Sequence, residues 1–171
     1  MKATTLLEKQ HRKVEAIFKK LEAGKGAHAE LLAELANDLA AHMTIEQELF
    51  YPAIQGVDPD VVAESYEEHA VAELALKRLV ATSPRAEEWK ARVVVLRELI
   101  EHHVEEEETD LFPMVEKKLA LEHLNELGKQ MKSRFQEVVE AGFEAALPEG
   151  FEETSADASR KVGLNGATAP V

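Results

Sequence analysis

Four histidines and several glutamates recur through this chain at intervals that suit one face of a helix: His11, then His42 with Glu46, His69 with Glu73, and His103 with Glu107. Two of these sets are near copies. His42-x-x-x-Glu46 is followed by Phe50-Tyr51-Pro52, and His103-x-x-x-Glu107 by Leu111-Phe112-Pro113, so that in both the glutamate lies four residues after the histidine and the proline ten. A fainter match pairs His11 and Glu15 with His69 and Glu73. Imidazole nitrogens and carboxylate oxygens together suit iron, manganese or zinc. The chain has no cysteine, which excludes disulfides, thiolate metal sites and a cysteine nucleophile.

Each histidine falls within an apolar stripe. The stripes read Leu7, His11, Val14, Phe18, Leu21; Leu35, Leu39, His42, Glu46, Leu49 or Phe50; Val62, Tyr66, His69, Glu73, Leu76; and Leu96, Ile100, His103, Glu107, Leu111. Steps of three and four keep side chains on one helix face, so these histidines and glutamates are expected to point into a core. Burying an ionised carboxylate costs several kcal/mol. No lysine or arginine lies on the stripes to offset it, and burial works against protonated histidine. A pair of divalent cations resolves the conflict. Residues four apart rise about 6 Å along a helix. A histidine can therefore cap one ion while the glutamate one turn on reaches between two, as bridging carboxylates do for ions roughly 3.5–4 Å apart.

Other polar residues read differently. Glu73 either joins the ligands or reaches solvent at the bundle edge. Tyr66, one turn before His69, reads as core filler in preference to a hydrogen-bond partner for a ligand. Glu15 is placed at a seam, paired with a lysine. His28, His102 and His123 read as surface residues, and the run Glu105 to Glu108 as a solvated face with Glu107 alone turned inward.

Such residues need rigid carriers, and the chain is rich in helix formers with no strand pattern. Helices are expected from about Thr4 to Ala23, ended by Gly24 and Gly26, and from about Ala27 to Ile54, with Pro52 disturbing the last turn. Asp58-Pro59 is a cap with proline at the first helical position, opening a third helix that runs to about Ala81. Ser83-Pro84 repeats that signal for a fourth. Short connections make sequential helices antiparallel. The expected fold is all-α: an up-down-up-down antiparallel four-helix bundle over residues 1–118, with an additional C-terminal helix over 119–147 packed on the bundle or on a partner, and a flexible tail over 148–171. That extra helix leaves a monomer or a homodimer open.

Of 171 residues, 45% are apolar, enough for one domain with a real core, and the net charge is −13. An acidic surface repels nucleic-acid phosphates and anionic membranes, and attracts cations. No apolar run reaches the roughly 20 residues that cross a bilayer, and the N-terminus lacks a signal-peptide core. The expected setting is cytoplasmic.

The pattern resembles the hemerythrin and HHE cation-binding superfamily. The resemblance covers about residues 4–116 and rests on His11, His42-x-x-x-Glu46, His69, His103-x-x-x-Glu107 and the Phe-Tyr-Pro and Leu-Phe-Pro endings. It implies two non-haem iron ions, joined by an oxo or hydroxo bridge, with manganese or zinc as substitutes. His11 and His42 would hold one ion, His69 and His103 the other, and Glu46 and Glu107 would bridge them. Oxygen carriers of that superfamily have a fifth histidine where this chain has Glu73. They also have an aspartate five past the last histidine, where this chain has a glutamate four past it. Both departures argue against reversible oxygen carriage. The resemblance is to hemerythrin-like proteins of iron or oxygen sensing and of peroxide or nitric-oxide responses. It implies a centre that binds or reacts with dioxygen, peroxide or nitric oxide. A peroxide-decomposing enzyme, an iron-sensing module and a metal-free bundle of His–Glu pairs remain the alternatives.

Overall fold

The computed structural model of the chain describes residues 1–24 and 28–146; the tail expected over 148–171 lies outside the described residues. Within them the structure is helical, with no strand. The helices are α1 (Ala3–Glu22), α2 (His28–Ile45), α3 (Tyr51–Ile54), α4 (Pro59–Val80), α5 (Trp89–Glu106), α6 (Phe112–Lys118), α7 (Leu121–Ala141) and α8 (Phe143–Ala146). Two π-helical turns, Glu46–Phe50 and Glu107–Leu111, join α2 to α3 and α5 to α6 without a break. None of the described helices is long and apolar enough to cross a membrane.

Helices α1, α2, α4 and α5 pack in a closed ring, each against the next and α5 back against α1. Their inward stripes form two apolar clusters. One joins Val14, Phe18, Leu39, Leu76, Leu96 and Ile100, and the other joins Leu7, Ile45, Phe50, Ile54, Leu111 and Phe112. The four stripe histidines lie along each helix between the two clusters, so a polar layer is held between two hydrocarbon ones.

One boundary departs from the sequence reading, the start of α5. The helices of Pro52 and Pro113 run on, to Ile54 as expected and to Lys118. A proline lacks an N–H, and its ring collides with the carbonyl four residues back. Here the residue before each proline instead donates five back, Tyr51 N to the Glu46 carbonyl and Phe112 N to that of Glu107. The widened turn relieves the collision and lets the helix run on. The Ser83-Pro84 signal starts turns, with α5 beginning only at Trp89. Ser83 Oγ does accept from Arg85 N at 3.3 Å, but Arg85 to Glu88 offer no large apolar side chain to bury, and winding waits for buried Trp89. The long C-terminal helix stops at Gly142, whose φ of 86° favours glycine, and Phe143 N donates to Asn37 Oδ1 at 2.8 Å.

Helix α7 packs against α1 and α2 of its own chain, burying Leu124, Met131 and Val138. Gly128 makes this possible, because a Cβ there would run into the Met1 carbonyl and lie 2.8 Å from Ala3 N. Gly128→Ala is expected to destabilise the chain by about 1–3 kcal/mol despite alanine's better helix propensity, because the backbone of α1 must give way. A denaturant midpoint equal to or above that of the unmodified chain would show that the N-terminus yields freely.

Candidate metal centre

The four stripe histidines are buried, and so are Glu46 at 0% and Glu107 at 1% exposure. The imidazoles converge in pairs through Nε2: His11 and His42 at 3.2 Å, His69 and His103 at 3.1 Å. The carboxylates lie between the pairs. Glu46 Oε2 is 3.1 Å from His42 Nε2 and 3.4 Å from His69 Nε2. Glu107 answers from the other side, Oε2 at 3.4 Å from His11 Nε2 and Oε1 at 3.7 Å from His103 Nε2. Each glutamate thus touches one histidine of each pair. The buried groups among the described residues that can close on a cation are His11, His42, Glu46 and Glu107, and beside them Glu46, His69 and His103.

The outward nitrogens say which form the rings take. His11 Nδ1 donates to Glu108 Oε1 at 2.8 Å and His103 Nδ1 to Glu68 Oε2 at 2.7 Å. An ionised carboxylate only accepts, so Nδ1 carries a proton, and in the neutral ring Nε2 then turns a lone pair inward. His42 Nδ1 likewise donates to Gln10 Oε1 at 2.8 Å, whereas His69 Nδ1 accepts from Gln47 Nε2 at 3.2 Å, which puts the proton of the neutral His69 ring on its inward Nε2. Fixing a ring by its other nitrogen is how metal-binding imidazoles are oriented.

Converging lone pairs and two buried carboxylates are mutually repulsive, and the hydrogen-bond account does not close. Neither oxygen of Glu46 nor Oε2 of Glu107 has a hydrogen-bond partner, and no lysine or arginine among the described residues pairs with either carboxylate. Orphaned buried acceptors are rare and costly. A cation between the two histidine pairs would meet every one of them, so the donor set fits the metals that the sequence implies. The chain's residues 2–115 match the family model described as the hemerythrin HHE cation-binding domain.

The chain belongs to the hemerythrin HHE family. It is 27% identical over 142 residues to an uncharacterized protein of Mycobacterium tuberculosis, covering 81% of this chain and 88% of that one. It is also 27% identical over 136 residues to a DNA nickase of Nostoc sp., covering 78% of this chain but only 39% of the nickase. Among solved structures, an HHE cation-binding domain-containing protein from Mycobacterium kansasii shares the fold, with a TM-score of 0.74 at 24% identity over 82% of this chain and 89% of that one.

Several residues of this HHE domain stand elsewhere than the sequence reading put them. Glu73 lies half-buried beside the clusters, its Oε1 accepting from Gln47 Nε2 at 3.2 Å. Tyr66 is no core filler, being 39% exposed; its hydroxyl donates to the Gln47 carbonyl at 3.1 Å. Glu15 pairs with Arg12 at 3.0 Å, not with a lysine. His102 and His123 are exposed as expected, whereas His28 sets its ring edge against Trp89, centroids 6.1 Å apart.

The reading also passed over Tyr51. Fully buried, it sets its hydroxyl 3.2 Å from His69 Nε2 and 3.4 Å from His103 Nε2, and donates to Glu107 Oε1 at 3.1 Å. The matching position of the second repeat holds Phe112, stacked on His11 at 6.0 Å and 11°. One half of the centre therefore carries a hydroxyl and the other a hydrocarbon ring. The signal was the repeat itself, Phe-Tyr-Pro against Leu-Phe-Pro.

Burial, then Glu107, pushes the Glu46 carboxyl well above the ordinary carboxylate range. Burial alone would raise Glu107 too, but His103, His11 and His69 outweigh it and hold it below that range. Burial lowers His42 well below the usual histidine value and brings His69 to about 3. His103 is opposed by burial yet raised on balance by Glu107 and Glu68. A proton held on Glu46 must leave when a cation arrives. Affinity for ferrous ion is therefore expected to rise with pH, by up to about tenfold per unit while Glu46 remains protonated. Chelator competition at two pH values measures this, and equal affinities would mean that Glu46 is already ionised in the metal-free chain.

Proposed function

We propose that this HHE domain holds two iron ions and uses them to bind or react with dioxygen, peroxide or nitric oxide in sensing or stress response. The observation that carries the reading is a pair of buried carboxylates, three of whose four oxygens have no hydrogen-bond partner, lying between four converging imidazole nitrogens. His11 and His42 ligate one ion, His69 and His103 the other. Glu46 and Glu107 are shared, and Glu73 acts through Gln47. The carrier is an up-down-up-down four-helix bundle with α7 as its additional helix. Iron supplies redox chemistry and open coordination positions; the protein supplies an interior cut off from bulk water and a protonated Tyr51.

Anaerobic ferrous loading of the full chain tests this. Two irons per chain are expected, with a near-ultraviolet spectrum that changes on adding peroxide. Fewer than one metal per chain overturns it.

A second reading is favoured by Tyr51: decomposition of peroxide, two molecules giving two of water and one of dioxygen. A proton must reach the departing oxygen, and Tyr51 holds one beside His69 and His103. The nickase relative's activity is not carried over. This chain spans well under half of that protein, and a net charge of −13 opposes a phosphate backbone.

A further inference from the structure

Two cavities meet at the centre. A solvent-open groove of about 240 Å³ runs between α1 and α5 with His11 in its wall. A small void of about 10 Å³ touches all four histidines but neither glutamate nor Tyr51. It therefore lies on the face of the centre away from the carboxylates, and it has room for about one water-sized molecule. The groove and the void share four wall residues: His11, Val14, Ile100 and Val104. Three of these are aliphatic, so a thin hydrocarbon partition is all that separates the void from the groove.

The mouth of the groove has the opposite character. Glu15, Glu101, Glu105 and Glu108 line it, against a single cation, Arg12, which pairs with both Glu15 and Glu108. An approaching anion meets net negative charge at the rim and then an apolar wall that offers it no hydrogen bond. A small neutral molecule meets neither barrier.

We propose that the α1–α5 groove is the way in to the centre, and that its acidic rim and the Val14–Ile100–Val104 partition admit small neutral molecules while holding back anions. The proposal rests on the reading of the centre as a ligand-binding metal pair. It names Val104 as a gate and Glu101 and Glu105 as a charge filter, none of them a ligand of the centre.

Stopped-flow absorbance of the ferrous-loaded full chain tests it with two probes, nitric oxide and azide. The association rate of nitric oxide is expected to order as Val104→Ala, then the unmodified chain, then Val104→Phe, each step several-fold, with iron content unchanged. Val104→Ala keeps the test open should Val104→Phe fail to fold. Charge reversal in Glu101→Lys/Glu105→Lys is expected to speed azide association several-fold at low salt, to lose that gain at high salt, and to leave nitric oxide alone. Rates indifferent to residue 104, or an azide rate indifferent to both reversals, overturn the route. An unmodified chain that holds two irons but responds to neither probe overturns the reading of the centre instead.

Discussion

A Glu46→Gln chain is expected to lose its metals and yet to unfold at a higher temperature than the metal-free parent. The amide has one acceptor oxygen and no charge, so it cannot serve two cations at once. Loss of a mere supporting hydrogen bond costs 10–100-fold in metal affinity; losing a ligand shared between His42 and His69 should cost on the order of 10³-fold or more. Stability moves the other way because neither oxygen of buried Glu46 has a hydrogen-bond partner in the metal-free chain. Its carboxyl titrates above the ordinary range. The folded chain therefore holds this proton to higher pH than the unfolded chain does, and stability falls as pH rises above the unfolded value. Glutamine removes that linkage. The gain should be about 1–3 kcal/mol at pH 7, shrinking toward zero as pH falls to the ordinary glutamate range. Thermal melts of both metal-free chains across that pH range measure it. A substituted chain that melts lower at pH 7 would mean that water or a neighbouring side chain already satisfies Glu46.

That trade separates a metal centre from a buried ion-pair network. In a network each carboxylate has a cationic partner, and neutralising one strands the other. Here Glu46 lies beside Glu107 and beside His42 and His69, whose protonation burial opposes, so neutralising Glu46 relieves repulsion. Adding ferrous ion should reverse the ranking. Ions that bind only the folded chain stabilise it by about 4 kcal/mol at a thousandfold excess over the dissociation constant, and only the parent can take up that gain.

How far the sequence disclosed this centre follows from its helical geometry. His11, His42, Glu46, His69, His103 and Glu107 sit on apolar stripes at steps of three and four, and in a straight α-helix such steps share a face. All six are buried together. Tyr51 escaped because it lies five after Glu46, a step that an α-helix turns well away from the stripe. The π turn restores that step to the inward face, and no propensity argument announces a π turn; only the repeated proline hinted at one. Gln10, Gln47, Glu68 and Glu108 escaped for another reason. Each is next in sequence to a residue of the centre on its own helix but orients a histidine on a neighbouring one, and one sequence does not reveal which helix neighbours which. The pairing is nonetheless regular. Gln10 precedes His11 as Glu68 precedes His69, and Gln47 follows Glu46 as Glu108 follows Glu107. The supports repeat with the ligands, with amides in one half exchanged for carboxylates in the other.

Tyr51→Phe is expected to keep both irons and to lose about 100-fold in oxygen evolution from peroxide, the low end of what a positioned general acid contributes. The phenyl ring refills the site, since Phe112 already occupies the matching place beside His11. The change therefore removes little beyond the hydroxyl. Burial, then Glu107 and Glu46, push the Tyr51 phenol well above its ordinary range, so it remains a proton donor throughout the neutral region. Its distances of 3.2 and 3.4 Å to His69 and His103 Nε2 put that proton on one half of the centre only. The mirror change, Phe112→Tyr, would place a hydroxyl beside His11 and should not rescue Tyr51→Phe if that asymmetry directs the reaction. Two measurements on the same sample, oxygen evolution and iron content, separate the roles. Unchanged oxygen evolution would make Tyr51 a packing residue. A loss of rate with iron held at two per chain would make it the proton donor. A fall to one iron per chain would make its oxygen a ligand, added to the group of Glu46, His69 and His103.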